Sequence, residues 1–213
     1  MPSDPACGVL DGLAFARSKP ELMGTYIVDI VAMFFGMPSA LFPAIADSMG
    51  GPSVLGLLYS GPALGAFIAT ATSGWTSHVR RHGLAVVLAA TAGGVAIALF
   101  AFATTPPVAV VLLAAAGGAD AISGVFRSAI WNQTVPDALR GRLASIELVS
   151  YSTGPLLGNA ESGLIASAFS VPVSVFSGGV LCVLGCLLCA LLLPGFRAYE
   201  SRVQRGDMAT MPS

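Results

Sequence analysis

Six apolar runs, each long enough to cross a bilayer as a helix, follow one another along the 213 residues of this chain. A helix needs roughly 20 apolar residues to span the hydrocarbon core. The runs cover about 22–45, 54–75, 84–104, 108–131, 143–168 and 171–193. Turn-forming or charged stretches separate them: SMGGPS at 48–53, SHVRRHG at 77–83, TTPP at 104–107, VPDALRGR at 135–142 and SVP at 170–172. The last gap is so short that its two neighbours must form a tight hairpin. Lipid offers no water to unpaired backbone amides, so runs of this length are helices rather than strands. The expected fold class is an all-α membrane protein with a six-helix transmembrane domain over 21–195. A cytoplasmic amphipathic linker at 1–20, carrying Val9, Leu10, Leu13 and Phe15, precedes it, and a basic cytoplasmic tail at 196–213 follows.

Composition agrees. Charged residues make up 10% of the chain and hydrophobic residues 55%, whereas soluble domains carry roughly 25% charge. The net charge of −1 says little, but the placement of bases says more. Arg17 and Lys19 precede the first segment, Arg80 and Arg81 lie between the second and third, Arg140 and Arg142 between the fourth and fifth, and Arg197, Arg202 and Arg205 after the sixth. The other three gaps hold no Lys or Arg. With six crossings, every one of these bases falls on one side, which the positive-inside rule makes cytoplasmic, so both termini are expected inside. The opening residues lack the basic end and apolar core of a secretory signal, so insertion is expected to depend on the first membrane segment.

This distribution removes several function classes. The arginines are accounted for by topology, which leaves no basis for nucleic-acid binding. An intramembrane serine protease needs a histidine beside its nucleophile, yet His78 and His82 lie in the basic gap at 77–83. The metalloprotease pattern H-E-x-x-H is absent. Cys182, Cys186 and Cys189 share one helical face and read as packing residues, with Cys7 far away. No enzyme, cofactor or metal site is expected.

The chain also carries an internal echo. GPALG at 61–65 in the second segment returns as GPLLG at 154–158 in the fifth, and Asp29 in the first is matched by Asp120 in the fourth. The offsets, 93 and 91 residues, are nearly equal. Segments two and five cross in opposite senses, so the expectation is two inverted three-helix repeats, as in many secondary transporters.

Intramembrane ions cost a few kcal/mol each and face a protein interior or a water-filled cavity. Segments one, four and five carry Asp29, Asp120, Arg127, Glu147 and Glu161, and segment two carries Tyr59, Ser60, Thr70, Thr72 and Ser73. Segments three and six carry no charge. Helices one, two, four and five are therefore expected around a cavity, with three and six outside against lipid. Asp120 and Arg127 are seven residues apart, about 10 Å along the axis, so each is expected to find another partner or water rather than to pair directly. Arg127 either faces the cavity or snorkels towards the cytoplasmic interface near Trp131. Asp120 is the stronger functional candidate, the alternative being a hydrogen bond to a neighbouring helix. Asp29 and Glu161 are candidate proton carriers, because burial favours a protonated carboxyl group, or else helix–helix glue. Glu147, one turn from the cytoplasmic start of segment five, is grouped with the cytoplasmic loop and expected to form a salt bridge there with Arg140 or Arg142. Gly61-Pro62, Gly154-Pro155 and Met37-Pro38 are expected to interrupt their helices, which fits gating.

Four stretches, GMPSALFPAIAD at 36–47, SGWTSHVRRHGLAVVLAA at 73–90, ADAISGVFRSAIWNQTVPDALRGRLASIE at 119–147 and GPLLGNAESGLIA at 154–166, carry a family resemblance. The chain resembles the carboxyl-terminal half of a major facilitator superfamily transporter, within it most the bacterial enterobactin-exporter group of drug and siderophore efflux permeases. The resemblance implies a multi-pass protein of the bacterial inner membrane that exports a small amphiphilic molecule against a proton gradient. In the superfamily's cytoplasmic loop motif, which corresponds to Gly74–Gly83, His78 stands where an Asp is expected, while Arg80 and Arg81 remain. That departure puts the motif's acid-based lock in question. The family has twelve helices in two halves, and by resemblance these six are the second half. The chain is then expected to be a truncated fragment without transport of its own, to pair with a separately encoded half, or to form a homodimer.

Overall fold

The computed structural model describes residue 12 and residues 14–200. The expectations placed on Cys7, Val9, Leu10, Leu13, Arg202 and Arg205 lie outside the described residues. All regular structure among the described residues is helical. Helix α1 runs Pro20–Phe35 and α2 Phe42–Met49, with a single 3-10 turn, Ser39–Leu41, between them. Then come α3 (Pro52–Ala71), a second 3-10 turn (Ser73–His78), α4 (His82–Phe100), α5 (Pro106–Thr134), α6 (Asp137–Ala168), α7 (Val171–Leu192) and a four-residue helix, α8 (Pro194–Arg197).

The starts and stops follow from local chemistry. Six of these helices (α1, α2, α3, α5, α7 and α8) have proline in the first turn, where its missing N–H would be unpaired in any case. Ser170 caps α7, its hydroxyl accepting from the Val173 amide at 3.4 Å. Between α2 and α3 the chain reverses through Gly50 at φ 134° and Gly51 at φ 88°, a left-handed region closed to most side chains.

Among the described residues five stretches are long and apolar enough to cross a membrane: Pro20–Met49, α3, α4, α5 and α7. The fifth run of the sequence is different. Its helix, α6, is 32 residues long and takes in Asp137, Arg140, Arg142, Glu147 and Glu161. The gap expected at 135–142 therefore shrinks to Val135 and Pro136. Arg140, Arg142 and Glu147 are helical rather than loop residues. A polar helical turn outside the apolar run looks like a loop to any hydropathy reading, and Asp137 in the first turn favours helix by complementing the dipole. His82, likewise read as a loop residue, begins α4 and is buried with its ring 5.3 Å from that of Phe126.

Of the three proline sites, only one breaks its helix. Pro62 and Pro155 lie inside continuous helices, whereas the first membrane run is broken at Gly36–Pro38. Irregular backbone at membrane depth is tolerated where protein or a cavity receives its polar groups. Here Asn159 of α6 receives them: its Oδ1 accepts from the Ala40 amide at 3.0 Å and from the Ser39 hydroxyl at 3.1 Å. Tyr59 of α3 donates its hydroxyl to the Ser39 carbonyl at 3.3 Å.

Close helix approaches explain the echoed glycines. Gly65 of α3 lies directly on the backbone of Ala114 in α5, and Gly158 of α6 on the backbone of Phe34 in α1, so neither site has room for a Cβ. Two large apolar clusters result. One joins Val28, Val86, Phe126, Ile130, Cys186 and Phe196, and the other Phe42, Leu58, Ile97, Phe100, Leu113 and Val175. Cys182, Cys186 and Cys189 are buried free thiols packed in the first. A third, smaller cluster ties Ala16 and Phe15 to Leu22, Val135 and Leu143.

Helices three and six of the sequence reading, α4 and α7, pack one face into the bundle and leave large apolar side chains open on another, Leu88 and Leu99 on α4 and Leu184 and Leu191 on α7. Helices α4 and α7 pack on each other, Gly179 against Ala98 and Gly94 against Val183, and they are buried over more of their apolar stretch than α3 or α5. Lipid tails and a protein interior are equally apolar, so the lack of charge in α4 and α7 could not distinguish them. Past α7, the chain docks back: Phe196 of α8 is fully buried, with its ring against Gly24 and its carbonyl against Gly83.

Candidate functional site

Three charges from two helices meet inside the bundle. Asp29 lies midway along α1 with its side chain 7% exposed. Arg127, on α5, turns its guanidinium inward to 11% exposure and forms an ion pair with Asp29 through Nη1. Its Nη2 stands 3.5 Å from Oδ1 of Asp120, one helical stretch earlier on α5, whose side chain is 65% exposed. The two arms of one guanidinium thus hold a buried carboxylate and an open one. The planar fork of arginine suits this double task in a way that a lysine ammonium does not.

Two expectations are corrected by this geometry. Arg127 does not snorkel outward, because a buried acid on the neighbouring helix draws it in. Asp120 and Arg127 do pair, despite the rise of about 10 Å between their Cα atoms. Helical side chains lean towards the N-terminus of their own helix, and a long arginine leaning that way closes the gap to a residue seven positions earlier.

Glu147 and Tyr151 of α6 form the next layer. The Tyr151 hydroxyl donates to Glu147 Oε1 at 3.5 Å, and both side chains lie within electrostatic reach of Arg127. The salt bridge expected of Glu147 with Arg140 or Arg142 is absent among the described residues. Arg140 pairs instead with Asp137 at 3.0 Å and lies 6.0 Å from the Trp131 ring centre, while the Trp131 indole donates to the Tyr26 hydroxyl at 3.2 Å. Glu161 stands apart from the cluster and forms no ion pair among the described residues. In the loop, Arg81 faces Glu200 at 3.9 Å with both side chains well exposed, a contact of little energetic weight. His78 lies beside the Ser77 hydroxyl at 3.3 Å.

Asp120 opens into a cavity of about 320 Å³. Its walls come from α1 and the broken stretch after it (Met33, Met37, Pro38), from α2 (Phe42), from α3 (Pro62, Ala63) and from α4 (Gly93, Ile97). Helix α5 adds Leu113 and Gly117, while α6 contributes Pro155 and α7 Cys182. Helix α4 therefore lines the cavity alongside the polar helices. Pro38, Pro62 and Pro155 all face it, and Gly61 and Gly154 lie beside it, packed on Leu113 and Met33. Among its lining residues Asp120 is the only carboxylate or base.

The residues missed in the sequence are relational. Asp29 and Arg127 are each visible as intramembrane charges, but their pairing is not. Charge balance held the signal: Arg127 is the sole base within an apolar run that otherwise holds only acids. Asn159 carried no signal beyond being polar in an apolar stretch.

Comparison with known proteins agrees with this architecture. Enterobactin exporter EntS of Escherichia coli O139:H28, of Shigella boydii serotype 18 and of Escherichia fergusonii is each 28% identical to the chain over 207 residues, covering 95% of the chain. The chain spans half the length of these relatives, 50% in each case. No solved structure matches it. The profile of the Major Facilitator Superfamily matches residues 28–208, which takes in the second half of α1, every later helix and the whole charge cluster: the chain belongs to that family of membrane transporters.

Proposed function

We propose that this chain is the six-helix half of a proton-coupled efflux permease that exports a small amphiphilic molecule, such as a siderophore or a drug, across a bacterial inner membrane. The observation that carries the reading is the sharing of Arg127 between buried Asp29 and cavity-facing Asp120. One cation serves two acids of very different exposure. When Asp120 binds a proton from the cavity it releases its share of the guanidinium, and Arg127 then belongs to Asp29 alone. When Asp120 gives the proton up, it pulls Arg127 back. Proton occupancy thus changes the force between α1 and α5, two of the helices that form the cavity wall.

The inverted three-helix repeat belongs to the same reading. The exchange of glycine contacts supports it: the second segment packs through Gly65 onto the fourth, and the fifth through Gly158 onto the first. In this reading α6 is the fifth of six crossings, both termini are cytoplasmic, and alternating access requires a second six-helix half or a second copy of the chain. The names of the relatives support export and a siderophore-like substrate.

The test is flux of a fluorescent amphiphile from proteoliposomes containing the chain, driven by an imposed proton gradient, with Asp120→Asn as control. Gradient-dependent flux above the variant supports the reading. Its absence from folded, inserted protein would favour a non-transporting fragment or a subunit that awaits a separate half, a reading favoured by the coverage of half of each relative.

A further inference from the structure

We infer that the cavity takes a lipophilic cation and rejects an anion of the same shape. This deepens the reading above and rests on the cavity being the substrate site. The argument is one of charge accounting at the wall. Arg127, the one base of the cluster, is turned away from the cavity, 11% exposed and held by Asp29. Asp120 is turned towards it, 65% exposed, with its Arg127 contact at 3.5 Å. The positive charge is hidden and already balanced, while a second negative charge faces the space where a ligand would sit. No other charged side chain lines the cavity among the described residues. An entering anion would meet Asp120, whose one neighbouring cation, Arg127, is already committed to buried Asp29. An entering cation would gain a carboxylate in a low-dielectric pocket, where such a contact is far stronger than in water.

The rest of the wall fits an apolar body around that charge. Met33, Met37, Ile97 and Leu113 supply aliphatic surface and Phe42 an aromatic ring, which attracts cations through its face. The unbranched thioethers of the two methionines adapt to different shapes. The volume, about 320 Å³, falls at the lower end of small-molecule pockets.

Tetraphenylphosphonium and tetraphenylborate offer a matched pair of opposite charge. The experiment measures equilibrium binding of each to the purified 213-residue chain in detergent micelles. The expected result is saturable binding of the phosphonium and none of the borate. Asp120→Asn should weaken phosphonium binding by about tenfold or more, and Asp120→Glu should retain it. Asp29→Asn should weaken it as well, although Asp29 does not line the cavity, because Arg127 is then free to swing onto Asp120 and neutralise the wall. A purely local contact at Asp120 would not show that last effect, and circular dichroism of each variant reports whether it has folded. Borate bound as well as phosphonium, neither ion bound, or phosphonium binding unchanged in Asp120→Asn would each overturn the inference. Binding at equilibrium needs no proton gradient. Failure of proton-driven flux with cation binding intact would count against proton coupling and not against this assignment, and proton-driven export of anions alone would do the reverse.

Discussion

Asp29 on α1 and Arg127 on α5, 98 residues apart in the chain, form an ion pair in which both side chains are nearly closed to solvent. The energetics of such pairs are asymmetric. Assembling one gains little over an apolar substitute, but removing one partner strands the other charge.

Asp29→Leu should therefore destabilise the folded protein strongly, by about 3–5 kcal/mol, as should Arg127→Met, while the double variant should recover most of the loss. Thermal unfolding in detergent, followed by circular dichroism, measures all three. Additive losses in the double variant would mean that the two residues do not depend on each other.

Asp120→Asn should behave differently, because its side chain is mostly open and its contact with Arg127 is long. A loss below about 1 kcal/mol is expected, in the range of exposed pairs. The same unfolding assay checks it, and a loss as large as that of Asp29→Leu would show Asp120 to be structural.

How much of this was legible beforehand depended on range. The helical membrane class, and the identity of the three charges that meet, follow from local runs and from the few ions inside them. The partner of Arg127 does not, since contacts between α1 and α5 leave no periodic trace. The burial of α4 was hidden because one apolar helix looks the same against lipid as against protein. The first turns of α6 were hidden because polar helix and polar loop have similar composition, and only Asp137 just after Pro136 marks the start.

Asn159→Leu should cost about 1 kcal/mol, because it removes the acceptor shared by the exposed Ala40 amide and the part-buried Ser39 hydroxyl. The break at Gly36–Pro38 should then become mobile. Faster hydrogen exchange at Ala40 and Leu41, without a change at α7, would be the mark of it.

Gly65→Val should push α3 off α5, because the Ala114 backbone occupies the space of the new side chain. Gly163→Ala is the control: nothing lies within 4 Å of its missing Cβ, and a gain of up to about 1 kcal/mol is expected from helix propensity alone. A disulfide engineered between α3 and α5 should form in the Gly163→Ala background and fail in Gly65→Val.

Synthesis gives the Asp29–Arg127 pair a history as well as an energy. The acid leaves the ribosome 98 residues before its partner, a wait of about 5–20 s at 5–20 residues per second. Through that interval the first membrane helix carries a carboxyl group with no guanidinium to meet it. It must wait protonated, or in the company of the insertion machinery, until the fourth apolar run arrives. A chain that loses Arg127 never ends that wait, so quality control in the membrane would recognise it by its first helix rather than by the helix that was changed.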